Sequence, residues 1–98
     1  MTTNIKMIKI LAMKDVDDLE KSEKSYGDSW RKYDGISAFM NLARKWDRIE
    51  NQSKNKKYDL FEAIKEDMSD EGILDDIRDL RRYCLLIESY MLEHHYKK

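Results

Sequence analysis

The stretch Ser25–Asn51 reads Ser-Tyr-Gly-Asp-Ser-Trp-Arg-Lys-Tyr-Asp-Gly, then Ile-Ser-Ala-Phe-Met-Asn-Leu-Ala-Arg-Lys-Trp-Asp-Arg-Ile-Glu-Asn. Its first half is turn chemistry: Tyr26-Gly27-Asp28-Ser29 and Asp34-Gly35 tolerate unusual backbone angles. Its second half has the periodicity of a helix, with Ile36, Phe39, Met40, Ala43 and Trp46 recurring at three-and-four spacing. At about 100° per residue, Asn41, Arg44, Lys45 and Arg48 are expected to project away from the apolar centre. Asp47 and Glu50 instead fall among the apolar positions. Two carboxylates there are either solvated where the helix leaves the core, or are paired or metal-bound.

Working outward, the chain reads as one all-α domain over its 98 residues. It has no Pro, three Gly, and closely mixed charged (40%) and apolar (41%) residues, a composition that favours long helices. Aromatic and aliphatic residues throughout argue against disorder. A net charge of −1 argues against nonspecific coating of nucleic acid. Cys84 is the single cysteine, so no intrachain disulfide forms, and its place on an apolar stripe suggests a packed thiol. No run approaches the ~18 apolar residues of a membrane span. Lys6 and Lys9 interrupt the apolar start and no cleavage site follows, so no signal peptide is read and the cytoplasm is expected.

Helix one is expected over about Asn4–Ser25, with Ile5, Ile8, Leu11, Ala12, Val16 and Leu19 as its stripe; a short strand over Ile5–Leu11 is the alternative. Met7, Ile10 and Met13 widen that stripe, which suits a subunit interface. After the turn region Tyr26–Gly35, helix two covers roughly Ile36–Gln52, followed by a basic loop, Asn51–Lys57. Asp59 is an N-cap signal for a short helix carrying Leu60, Phe61, Ile64 and Met68. After the break Ser69–Gly72, the last helix runs about Gly72–His95. Its stripe of Ile73, Ile77, Leu80, Cys84, Ile87 and Met91 is too wide for one small chain to bury, so a homo-oligomer is expected.

Asp47-x-x-Glu50 and Asp76-x-x-Asp79 are acidic pairs at i, i+3, each presenting oxygens from one side of its helix. Packed together, the two helices would place four carboxylates around one point, a donor set suited to Mg²⁺ and to phosphoryl chemistry. Trp30 and Tyr33 either cap the core or stack on a planar ligand such as a nucleobase. Arg31, Arg44, Lys45 and Arg48 are either a solvated basic face or phosphate ligands.

Asp76-Ile-Arg-Asp79-Leu leading into Tyr83-Cys84-Leu85-Leu86 resembles the Glu-x-x-Asp motif of the MazG-like all-α nucleoside-triphosphate pyrophosphatases. Asp47-Arg48-Ile49-Glu50 is similar to their earlier Glu-x-x-Glu helix. Tyr26-Gly27-Asp28-Ser29-Trp30, with Lys45-x-x-Arg48-Ile49, more closely resembles a small phage family, the nucleotide-modification-associated domain related to MazG. The resemblance spans about Lys21–Glu88. It implies an oligomeric helical bundle that handles nucleotides with Mg²⁺, with Asp47, Glu50, Asp76 and Asp79 on the metal. It also implies a nucleotide held near Trp30, Arg31, Tyr33, Arg44, Lys45 and Arg48. Three of the four metal ligands are Asp where the family prefers Glu, and Trp46 stands where a further carboxylate is usual. Binding is therefore better supported than hydrolysis. Three functions are open: a Mg-dependent pyrophosphatase, a non-hydrolysing phage sponge for a nucleotide immune signal such as a cyclic nucleotide or an ADP-ribose derivative, and a structural helical interaction module.

Overall fold

The computed structural model describes residues 2–66 and 72–95, and among these every regular element is helical. The helices are α1 (Ile5–Tyr26), α2 (Asp34–Ser53), α3 (Leu60–Lys65) and α4 (Ile73–His94), with short 3₁₀ turns at Ser29–Arg31 and Lys54–Lys56. No described helix is long and apolar enough to cross a membrane. The strand alternative at Ile5–Leu11 is not realised; α1 runs through it. Met68 and the expected break at Ser69–Glu71 lie outside the described residues.

Local chemistry sets the helix ends. The Asn4 side chain accepts from the Met7 N–H at the start of α1. Gly27 stops α1 at φ 56° and ψ −129°, a conformation suited to glycine, while its N–H donates to the Glu23 carbonyl. Asp59 caps α3 as its sequence position implies, accepting from the Phe61 and Glu62 N–H groups. Helix α2 begins at Asp34, two residues before the apolar pattern does.

Helix α2 packs antiparallel on α4: Gln52 and Arg48 meet Asp76, while Ala38 and Ile87 line one cavity near the other end. The Ser29–Arg31 turn is fixed at that end. The Asn41 amide donates to the Trp30 carbonyl at 2.9 Å, and the Trp30 and Tyr90 rings meet edge-on at 6.1 Å.

The face of α2 against α4 is not the expected one. It carries Ala38, Asn41, Leu42, Lys45, Ile49 and Gln52, all buried or half-buried. Ile36 and Met40 lie on the opposite face, Phe39 and Trp46 on the flank, and all four are 55–75% exposed. Cys84 is exposed as well, because no described element covers its flank of α4. The buried apolar set among the described residues is only Ala38, Ile49, Ala63 and Ile73, whereas the most deeply buried side chains are Asp15 and Asp76.

Among the described residues this is little core for a chain of this size. Its accessible surface is 8458 Å² for 11.8 kDa, against about 5,900 Å² for a compact monomer of that mass. Its radius of gyration is 15.3 Å, against about 12.6 Å for a compact domain of this length.

Candidate functional site

Two ionic centres join the helices. The first lies between α2 and α4, where oxygens of Asp75, Asp76 and Asp79 all fall within 4.8 Å of one another. Asp76 is fully buried. Its Oδ1 accepts from Arg48 Nε at 2.8 Å and lies 3.6 Å from Lys45 Nζ; its Oδ2 accepts from Gln52 Nε2 at 2.7 Å. Lys45 Nζ also pairs with Asp79 at 3.0 Å, and Arg78 pairs with Asp75. The sequence motif therefore places Asp76 and Asp79 together, but with Asp75 as the third member.

Within one chain, Asp47 and Glu50 do not join them. Both are exposed on the outward face of α2, where the helical period sets them far around from Lys45. The i, i+3 pair that α2 does present to Asp76 and Asp79 is cationic, Lys45 and Arg48. Sequence periodicity had these two cations pointing at solvent. The acidic pair on α4 draws them inward, because a buried carboxylate without a partner is far more costly than a buried ion pair.

This arrangement does not fit a resident Mg²⁺. The spacing of the three carboxylates would suit a cation, but three cationic side chains, Lys45, Arg48 and Arg78, already meet them. Mg²⁺ needs near-octahedral oxygen donors and room for its waters. Here it would have to displace ion pairs around a fully buried Asp76. The centre is a charge-balanced network that buries Asp76 and leaves Asp75, Asp79, Arg48 and Arg78 partly exposed.

The second centre docks α1 on α4. Asp15 is 1% exposed and takes a two-pronged contact from Arg81, Nε at 2.5 Å and NH2 at 2.7 Å. Arg82 spans two carboxylates, with Nε to Asp15 and NH2 to Asp18, each at 2.7 Å. Sequence reading missed this hub; Asp15 stood among five acidic residues, and the Arg81-Arg82 doublet was the only signal.

The Arg81 hydrogen bond, opposed by burial and aided by Arg82, holds the Asp15 carboxyl below its ordinary value of 3.8. A carboxylate whose folded pKa is depressed stabilises the fold above its unfolded pKa, and loses that contribution as pH falls through the folded one. Acid titration is thus expected to loosen the α1–α4 junction below about pH 4. Hydrogen exchange of α1 amides as a function of pH checks this: protection in α1 should fall in that window. Asp15→Asn should remove the pH dependence.

The nucleotide-binding set is dispersed in its partners. The Arg31 guanidinium lies 4.5 Å over the Tyr90 ring and pairs with Asp28 at 2.8 Å and Asp34 at 3.8 Å. Lys45 and Arg48 belong to the Asp76 network. Tyr33 is exposed and has Lys32 over its ring at 5.6 Å. Arg44 has no carboxylate partner among the described residues; its NH2 donates to the Asn41 side-chain oxygen at 2.9 Å. Trp30, Arg31, Tyr90 and His95 line a cavity of about 130 Å³ with Ala38, Ile87 and Met91. Tyr90, which organises this end of the molecule, was not singled out by the sequence.

Comparison with protein-family models, with curated proteins and with solved structures finds no match.

Proposed function

We propose that the protein is a self-assembling helical module that acts without hydrolysis. The carrying observation is the surplus of accessible surface, about 2,500 Å² above that of a compact monomer. Much of it lies on Ile5, Ile8, Ile36, Phe39, Met40, Trp46, Leu74 and Leu92, all large apolar side chains exposed on three long helices. Exposed apolar side chains mark interaction surfaces where they adjoin, as Ile36, Phe39 and Met40 do at three-and-four spacing on α2. The full burial of Asp76 among Arg48, Gln52 and Lys45 supports the absence of hydrolysis, since neither a metal nor a water has open access to it. Light scattering after size exclusion should give at least twice the 11.8 kDa chain mass. A panel of nucleoside triphosphates should survive incubation with Mg²⁺ or Mn²⁺. A monomer at micromolar concentration would overturn the first part, and chelator-sensitive pyrophosphate release the second.

A second reading, sequestration of a nucleotide, is favoured by one observation. Asn41 bonds both the Trp30 carbonyl and Arg44, so a ring and a cation without a carboxylate partner share one neighbour. The cavity beside Trp30 is smaller than the ~300–1,000 Å³ of most ligand sites, so a nucleotide would need a second subunit to complete it. The MazG-like resemblance adds to this reading through the Tyr26–Trp30 string. Titration calorimetry against mononucleotides, cyclic dinucleotides and ADP-ribose derivatives is the measurement. If a base stacks on Trp30, Trp30→Ala should weaken binding by roughly 1–3 kcal/mol. Arg44→Ala should weaken it by about tenfold. No heat from a folded oligomer would eliminate the reading.

A further inference from the structure

The first half of α1 is the least accounted-for part of the molecule. Ile5, Met7, Ile8, Ile10, Leu11 and Met13 are all 39–69% exposed. The side-chain hydrogen bonds and ion pairs that tie α1 to α4 begin only at Asp15. Charge is divided along the same helix. Lys6, Lys9 and Lys14 occupy the first half with no acid among them; Asp15, Asp17, Asp18, Glu20 and Glu23 outnumber Lys21 and Lys24 in the second. Asp15 and Asp18 are taken by Arg81 and Arg82. Among the described residues, Lys6, Lys9, Glu20 and Glu23 form no ion pair.

We propose that α1 pairs antiparallel with α1 of a second copy of this chain, about a two-fold axis near Lys14–Asp15. The occupant follows from the charge pattern, because the helix complements itself only when reversed. That register sets Lys9 against Glu20 of the partner subunit and Lys6 against Glu23 of the partner subunit. Each contact occurs twice, as an isologous interface requires. Met13 then meets Val16 of the partner subunit at the centre. Ile5, Lys9, Met13, Val16, Glu20 and Glu23 share one side of α1, at spacings of three and four. That side lies well around the helix from Asp15, so docking on α4 leaves it open. An in-register parallel pair would stack Lys on Lys and Glu on Glu. Reversal also lays the first half of α1 beside the half of the partner helix that Asp15 and Asp18 anchor to α4. The surplus surface exceeds the roughly 800 Å² per partner of a standard interface.

This inference rests on the self-assembly reading, and the test separates the two. Dilution series of wild type, Lys9→Glu and Glu20→Lys are followed by light scattering at low salt, with circular dichroism confirming helicity. Each single substitution sets like charges across the axis twice and should raise the dissociation constant at least tenfold. An equimolar mixture of the two variants restores opposite charges at both contacts and should return association to within about threefold of wild type. That rescue survives even if either variant alone is poorly ordered. Single variants that associate like wild type, or a mixture that fails to recover, would overturn the antiparallel pairing while leaving self-assembly standing. A wild type that stays monomeric, or that associates only with a different protein, would overturn both.

Discussion

Asp15→Ala is expected to free α1 from the bundle and to cost the chain about 3 kcal/mol of stability. Removing one member of a buried ionic group costs about 3–5 kcal/mol. The lower end applies because Arg82 keeps Asp18 and because Arg81 is 34% exposed and can rehydrate. For a chain of this size each kcal/mol shifts the midpoint by about 4–8 °C, so thermal melts at matched protein concentration should fall by at least about 12 °C. Amide exchange should show where the loss lies: α1 protection collapses first, while the α2–α4 pair keeps its own. Asp47→Ala, which removes an exposed carboxylate, should stay within about 0.5 kcal/mol. Should Asp15→Ala melt like wild type, the hub would be an ornament on a helix held by something else.

The helices were legible in the sequence because their signals are local. Asn4, Gly27 and Asp59 act within three or four residues of where they stand, and the three-and-four apolar spacing needs no knowledge of the rest of the chain. Which face of α2 turns inward was not legible. Periodicity divides a helix into two faces, and the apolar one is assigned to the core by default. Here Asp76 and Asp79, some thirty residues on, draw Lys45 and Arg48 inward and leave Ile36, Phe39 and Trp46 outside. Asp75 and Arg78 form a local i, i+3 pair on α4, and only the packing of α2 reveals that they border this centre; that packing also explains why the expected four-carboxylate point is absent within one chain. Half of the motif sits on α4 as read; the other half, Asp47 and Glu50, lies on the wrong side of α2. The expectation of oligomerisation was drawn from the stripe of the last helix and from the widened stripe of helix one; in the structure Ile73 is buried and Ile77, Leu80 and Ile87 are half-buried, whereas α1 and α2 leave most of their large apolar side chains exposed.

Asp76→Ala is the complementary experiment at the other centre, and it also decides the metal question. The fully buried carboxylate accepts from Arg48 and Gln52 and neighbours Lys45. Its loss leaves the Lys45 ammonium with Asp79 alone, and the Gln52 amide with only the Arg48 carbonyl. A cost of about 2–3 kcal/mol follows, less than a fully stranded charge would impose, because Arg48 reaches solvent. A resident divalent ion at this centre would stabilise the fold by RT ln(1 + [L]/Kd), about 2.7 kcal/mol at a hundredfold excess over Kd. The ion-paired network implies no such gain, so melts in millimolar Mg²⁺ and in chelator should coincide for the wild type. The Lys45→Met, Arg48→Met double variant strips away two of the three neutralising charges and exposes Asp75, Asp76 and Asp79 to one another. Its midpoint should be lower than wild type in chelator and should rise with added Mg²⁺. A wild type that Mg²⁺ stabilises, with a double variant that it does not, would show that Lys45 and Arg48 support a metal rather than replace one.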